Sequence, residues 1–241
     1  KIMRYLIKFS YDGTKFHGFQ RQKDVKNVQG TLEHVLSRVL ESDIVIKGAG
    51  RTDAGVHALA QYAHFDADRK IKKEDINIIN RLLDEEIVIK KWQVVNSDFH
   101  ARHDVKRKKY VYKINIGDFD KDKEGYYYQI KHKLDFSLMK RVMKLFVVTH
   151  DFRNFVSGPR IDYTTTIYKT RIKRKGNIIL FEFVGIGFYR YMVRHLMGAI
   201  LDVGRGKAKI VDVERMLENP LIIKSLSVVP ADGLYLVNIK Y

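Results

Sequence analysis

The chain has no cysteine, three prolines and one tryptophan in 241 residues, and its 28 acidic side chains are outnumbered by 45 lysines and arginines. Each shortage excludes something. Without cysteine there is no disulfide, no thiolate nucleophile and no Cys-ligated zinc, which fits a reducing compartment. So few prolines, beside 45% apolar and 30% charged residues, leave no linker or low-complexity segment. The chain reads as globular throughout, long enough for one large domain or two lobes of ordinary size. No apolar run approaches the roughly 18 residues that cross a bilayer, and the N-terminus lacks a signal-peptide pattern, so the expected location is the cytoplasm. The shortage of acid leaves a formal charge of +17. The partner implied is a polyanion, most commonly nucleic acid, because neutralised phosphates release condensed counterions. The positive charge is clustered: Lys106, Arg107, Lys108, Lys109 and Lys113 run without an intervening acid, as do Lys169, Arg171, Lys173, Arg174 and Lys175. Charge alone does not separate an RNA enzyme from a passive RNA binder.

Hydrophobic periodicity supplies the elements. Tyr5, Ile7 and Phe9 alternate along a strand from Arg4 to Ser10 that ends in the turn signal Tyr11-Asp12-Gly13. Leu32, Val35, Leu36, Val39 and Leu40 make the stripe of an amphipathic helix beginning at Gln29 or Thr31. Ile44 to Lys47 and Ala60 to Phe65 read as strands, Ile76 to Leu83 as a helix and Ile87 to Val95 as a strand. This order, βαββαβ, is that of the ferredoxin-like unit. The second half repeats it: a strand over Lys108 to Ile116, a polar excursion over 117–134, and a helix through Met139, Val142, Met143 and Phe146. Strands over Thr164 to Lys173 and Ile178 to Phe183, a helix from Met192 to Val203, a short helix near Val213 to Leu217 and a closing strand over Gly233 to Tyr241 complete it. The expectation is an α+β protein of two ferredoxin-like lobes, residues 1–104 and 105–241, with a mixed or antiparallel sheet, helices on one side and a central RNA-binding cleft.

One stretch is unlike the rest. Gly48-Ala49-Gly50-Arg51-Thr52-Asp53-Ala54-Gly55-Val56-His57-Ala58 holds three glycines and three alanines around a single Arg-Thr-Asp. The small residues allow a sharp turn or the close approach of another molecule's backbone. Asp53 is its one carboxylate, and by residue type alone it is either a turn cap or a reactive group. Phe16 to Gln22, aromatic, glycine-bearing and basic, fits either a covered loop or a base-stacking surface. Arg194, four residues after Arg190 on an otherwise apolar helix, is either a snorkelling stem or one member of a buried pair. Tyr110, which shares a strand face with Tyr112, reads by residue type as a core or cross-strand aromatic, and Leu234 as a core leucine at a strand start. His64, Asp66 and Asp68 alternate, which puts them on one side of an extended chain as a metal site would require, but no further carboxylate motif supports them and no metal is expected.

The string around Asp53 resembles the active-site motif of the tRNA pseudouridine synthase A family. So do Phe16 to Gln22, with Phe19 where a Trp is frequent; Arg107 to Tyr112; His150 to Phe155; Gly187 to Arg194, with Tyr189 where a Leu is more usual; and Pro230 to Leu234. The resemblance implies a cofactor-independent isomerisation of uridine to pseudouridine in the tRNA anticodon stem-loop, at tRNA positions 38, 39 and 40, by a homodimer. It assigns catalysis to Asp53, pairing with that Asp to Arg194, stacking on the target uracil to Tyr110, the space left by the flipped nucleotide to Arg51, and the pocket wall to Leu234. A paralogue acting on ribosomal RNA would carry the same motifs. A silent RNA-binding protein would need the basic strands but not Asp53, and a metal-dependent hydrolase would need carboxylate clusters that are scarce here.

Overall fold

A computed structural model describes residues 2–219 and 226–241. The chain divides into two compact units, Lys1–Lys106 with Tyr235–Tyr241, and Arg107–Leu234.

In the first unit β1 (Met3–Tyr11) lies between β3 (His57–Ala67) and β4 (Ile87–Val95), antiparallel to both. Tyr5, Ile7, Phe9 and Tyr11 are buried, as the alternation required. Beyond β3 lie β2 (Lys47–Gly48), antiparallel to it, and β10 (Leu234–Lys240), which runs parallel to it through Tyr235 and Leu236 and makes the sheet mixed. Helix α1 (Val28–Leu40) connects β1 to β2, and α2 (Lys73–Leu82) connects β3 to β4. The two crossovers start on antiparallel strands and run in opposite directions across the sheet, so right-handedness puts both helices on the same face. This is the ferredoxin-like order read from the sequence.

Two details differ from that reading. Helix α1 starts at Val28, because the Asn27 side chain caps it by accepting from the Gly30 amide at 2.8 Å. The strand expected over Ile44 to Lys47 shrinks to two residues. The Ile44 amide donates to Ser37 Oγ at 2.9 Å and the Ile46 amide to Glu33 Oε1 at 3.0 Å. Side chains of α1 thus take the groups that a longer ladder would have paired.

The second unit holds β5 (Arg107–Asn115), β6 (Tyr128–Gln129), α3 (Phe136–Leu145), β7 (Thr149–Asp151), β8 (Thr164–Lys175), β9 (Ile178–Gly185), α4 (Met192–Gly204) and α5 (Ile210–Glu218). Its strands run β5-β9-β8-β7, all antiparallel, with β6 parallel to β5 inside the 117–134 excursion. Helices α3 and α4 meet closely at Gly204, where an added Cβ would lie 2.7 Å from Met139 Cγ. The order β5-α3-β8-β9-α4 matches the βαββα part of the repeat. Of the closing strand, Tyr235–Tyr241 group with the first unit, where β10 runs parallel to β3, and Leu234 groups with the second. Periodicity identifies a strand but not its neighbour.

Candidate active site

Asp53 lies in a loop between β2 and β3, half-buried, with Arg51 exposed two residues before it. The loop is fixed from three sides. Buried Thr52 shares a 2.7 Å hydrogen bond with the Tyr11 hydroxyl at the end of β1. Gln61, fully buried on β3, donates through Nε2 to the Gly50 carbonyl at 3.1 Å. The Thr52 carbonyl accepts from the Phe19 amide at 3.0 Å, and the Asp53 carbonyl from the Val56 amide at 3.1 Å. Backbone and side-chain polar groups on either side of Asp53 in the chain are therefore bound to the scaffold, which fixes the loop that carries its carboxylate. Burial, opposed by the hydrogen bonds with Thr52 and Gln61, pushes the Tyr11 hydroxyl up to about 12, so it stays protonated within this network at neutral pH.

Phe16 to Gln22 packs against this loop. Gly18, at φ +87°, is so close that an added Cβ would meet the Thr52 carbonyl oxygen at 3.0 Å and the Ala54 nitrogen at 3.3 Å. A side chain there would be strained in itself and would push the Asp53 loop. Phe16 and Phe19 are buried, so of the two readings of this segment the covered loop holds for its aromatics. His57, inside the glycine-rich string, is buried and stacks on Tyr235 at 4.5 Å. Its Nδ1 accepts the Gly13 amide at 3.0 Å; with that lone pair taken, Asp12 Oδ1 at 3.5 Å from the same nitrogen is not its ion-pair partner.

The other three candidates lie in the second unit and are tied to one segment. Arg194 occupies the first turn of α4; its Nε donates to the Val229 carbonyl at 2.8 Å and its guanidinium lies 4.3 Å from the centre of the Tyr191 ring. Tyr191 precedes the helix at φ 60°, ψ 4°, a left-handed conformation costing an aromatic residue roughly 1 to 3 kcal/mol. From Val229 the chain passes to Pro230, whose carbonyl accepts the Tyr112 hydroxyl at 2.7 Å, and to Gly233, pressed so tightly on β5 that a Cβ would lie 2.5 Å from the Lys113 oxygen. Leu234 follows, buried. Tyr110, on the same strand β5, is buried with the Phe188 ring edge-on at 5.2 Å. Segment 229–234 thus joins the start of α4, which carries Arg194, to the strand that carries Tyr110.

A family model described as tRNA pseudouridine synthase matches residues 7–104 and 142–241. The chain belongs to that family. Its members isomerise uridine to pseudouridine, and the Asp53, Arg194 and Leu234 segments all lie inside the matched stretches. Tyr110 and the Lys106 to Lys113 run lie between them. The chain is 38% identical over 235 residues to tRNA pseudouridine synthase A of Acetivibrio thermocellus, with 96% of each chain covered. It is 39% identical over 245 residues to the enzyme of that name from Pseudothermotoga lettingae, with 100% of each covered. Against that of Limosilactobacillus reuteri it is 38% identical over 249 residues, covering 100% of this chain and 97% of the relative.

Other segments of this pseudouridine synthase hold its architecture. Asn154 Nδ2 donates to the carbonyls of Met216 and Asn219, at 2.8 and 3.1 Å, and His150 Nε2 donates to that of Leu217. These are the carbonyls that the end of α5 leaves unpaired, and Phe152 and Phe155 are buried beneath. Asp66 is taken by Arg4 at 2.8 and 2.9 Å, and buried His64 accepts the Ala101 amide on Nδ1 at 3.0 Å. Sequence reasoning missed Tyr11, Thr52 and Gln61 as supports of the site. The available signal was Gln61, a polar side chain within a run of buried strand positions.

Proposed function

We propose that this chain converts uridine to pseudouridine at positions 38, 39 and 40 of the tRNA anticodon stem-loop, as a cytoplasmic homodimer and without a cofactor. The observation that carries the reading is the placement of Asp53: the one carboxylate of a glycine- and alanine-rich string, half-buried, on a loop whose neighbouring polar groups are bound to the scaffold. Full-length similarity to relatives named tRNA pseudouridine synthase A supports tRNA as the substrate. In the reaction the C1′–N1 bond breaks, the uracil turns, a C1′–C5 bond forms, the C5 proton leaves and N1 gains one. Nothing is oxidised and no group is lost. Asp53 supplies the carboxylate for glycosidic cleavage, Tyr110 holds the base by stacking, Leu234 walls the pocket and Arg51 takes the space of the flipped nucleotide. An ionised carboxylate in a partly dry site needs a counter-charge, the role assigned to Arg194.

Asp53→Asn tests the reading. Asparagine keeps the size of the side chain but cannot act as a carboxylate, so tritium release from C5-labelled uridine in tRNA should fall below detection while filter binding stays within about tenfold of the unaltered chain. Appreciable turnover by a folded Asp53→Asn protein would refute the role. Loss of binding together with loss of fold would make Asp53 a turn cap.

A further inference from the structure

Several arginines of this chain lie against a carboxylate. Arg4 is bound to Asp66, Arg69 to Asp75, and Arg153, whose guanidinium also lies 5.3 Å from the Tyr163 ring, is held by Asp151 at 2.7 Å. Arg160 is immobilised differently. Its guanidinium carbon sits 3.8 Å from the centre of the Tyr189 ring, and its Nε donates to the Asp162 carbonyl at 3.1 Å. Its backbone amide donates to the Tyr163 hydroxyl at 2.9 Å, and that hydroxyl donates to the Gly158 carbonyl at 3.1 Å. The Asp162 carboxylate accepts the Thr164 amide at 2.8 Å and is close enough to feel the charge of Arg160 without a hydrogen bond to it, and the Tyr189 hydroxyl donates to the Thr164 carbonyl at 2.5 Å. The loop therefore fixes Arg160 at its backbone, its Nε and one face. Its two terminal nitrogens make no hydrogen bond among the described residues, and the residue is exposed.

A surface guanidinium resting on a ring contributes little by itself and requires no ordered loop. A permanently charged, planar fork, already relieved of its rotamer entropy and with both terminal nitrogens available, is what a phosphate diester recognises. The loop is also joined to the segment that carries Arg194: the Ser157 amide donates to the Arg190 carbonyl at 3.0 Å, Ser157 Oγ hydrogen-bonds His195 Nε2 at 2.9 Å and Thr165 Oγ1 donates to the Gly187 carbonyl at 2.8 Å. We infer that Arg160, held on the face of Tyr189, is an RNA-phosphate contact, a binding element outside the five residues assigned above. The inference rests on the proposed RNA substrate and adds a place where the backbone of that RNA is gripped. A leucine at position 189 would offer neither the ring for the guanidinium nor the hydroxyl for Thr164, so Tyr189→Leu should release Arg160 without removing its charge.

The test is filter binding of transcribed tRNA across a salt series for the unaltered chain, Arg160→Ala, Tyr189→Leu, the double variant, and Arg153→Ala as a control whose charge is already paired. Arg160→Ala should weaken binding roughly tenfold at low salt and lower the slope of log affinity against log salt by close to one. Tyr189→Leu should give part of the loss, add nothing in the Arg160→Ala background, and Arg153→Ala should leave the slope alone. A folded Arg160→Ala protein with unchanged affinity and slope overturns the inference, as does full additivity of the two changes. Pseudouridine formation by the unaltered chain is measured beside it: failure there refutes the functional reading, while the binding arms still decide Arg160.

Discussion

At the scale of single residues, the charge on Arg194 is separable from its packing. On the proposed pairing of Arg194 with Asp53, Arg194→Leu should lower pseudouridine formation by roughly a hundredfold while tRNA affinity changes far less, because a carboxylate that lost such a counter-charge would be partly protonated. Normal turnover together with normal melting would reduce Arg194 to a side chain that merely bonds Val229. His64 gives a residue-scale pH dependence. Burial, then the charges of His100, Arg4 and Lys47, against the opposing pull of Asp66, lower it from 6.5 to about 4. The ring is neutral in the folded protein, its Nδ1 lone pair holding the Ala101 amide. Between 6.5 and about 4 the unfolded chain binds a proton that the folded one excludes, so this contribution is complete above 6.5 and is lost as the pH falls toward 4. Urea midpoints should therefore drop between about pH 7 and pH 5, and His64→Gln should flatten the decline. An equally steep decline in that variant would assign it elsewhere.

At the scale of elements, the link from α1 to β2 leads into the Asp53 loop. Glu33 is buried and its Oε1 accepts both the Ile46 amide at 3.0 Å and Gln29 Nε2 at 3.1 Å. Glu33→Leu keeps the helix but strands a buried amide, which should cost roughly 1 to 3 kcal/mol in denaturant unfolding. Since Ile46 lies two residues before Gly48, activity should fall further than the loss of stability explains. A variant as stable as the parent would show that water replaces the carboxylate without loss. Gly18 acts at the same scale, its positive φ and its contact with Thr52 setting how closely the first loop supports the second.

At the scale of the whole molecule the dominant fact is +17 of formal charge. With about six phosphates neutralised, tRNA affinity should fall about a thousandfold between roughly 50 and 200 mM salt. A flat titration would remove the polyelectrolyte argument and leave recognition to base contacts alone.

The elements themselves were legible. The period-2 stretch over Arg4 to Ser10 became β1, Ile87 to Val95 became β4 residue for residue, and the stripe from Leu32 to Leu40 became the buried face of α1. So was the family, because the string around Asp53 needs no fold to be recognised. These properties are local: periodicity reports which face of an element is buried, and a motif is contiguous by definition. What was not legible depends on partners distant in the chain. Ser37 and Glu33 shorten β2 by taking its amides, Tyr11 and Gln61 brace the Asp53 loop from 41 and 11 residues away through Thr52 and Gly50, and β10 runs parallel to β3 although about 170 residues separate the two strands in the chain. The sequence by itself determined the elements and the family; tertiary structure decided which backbone groups each side chain satisfies, because a buried donor must find its acceptor wherever the fold brings one.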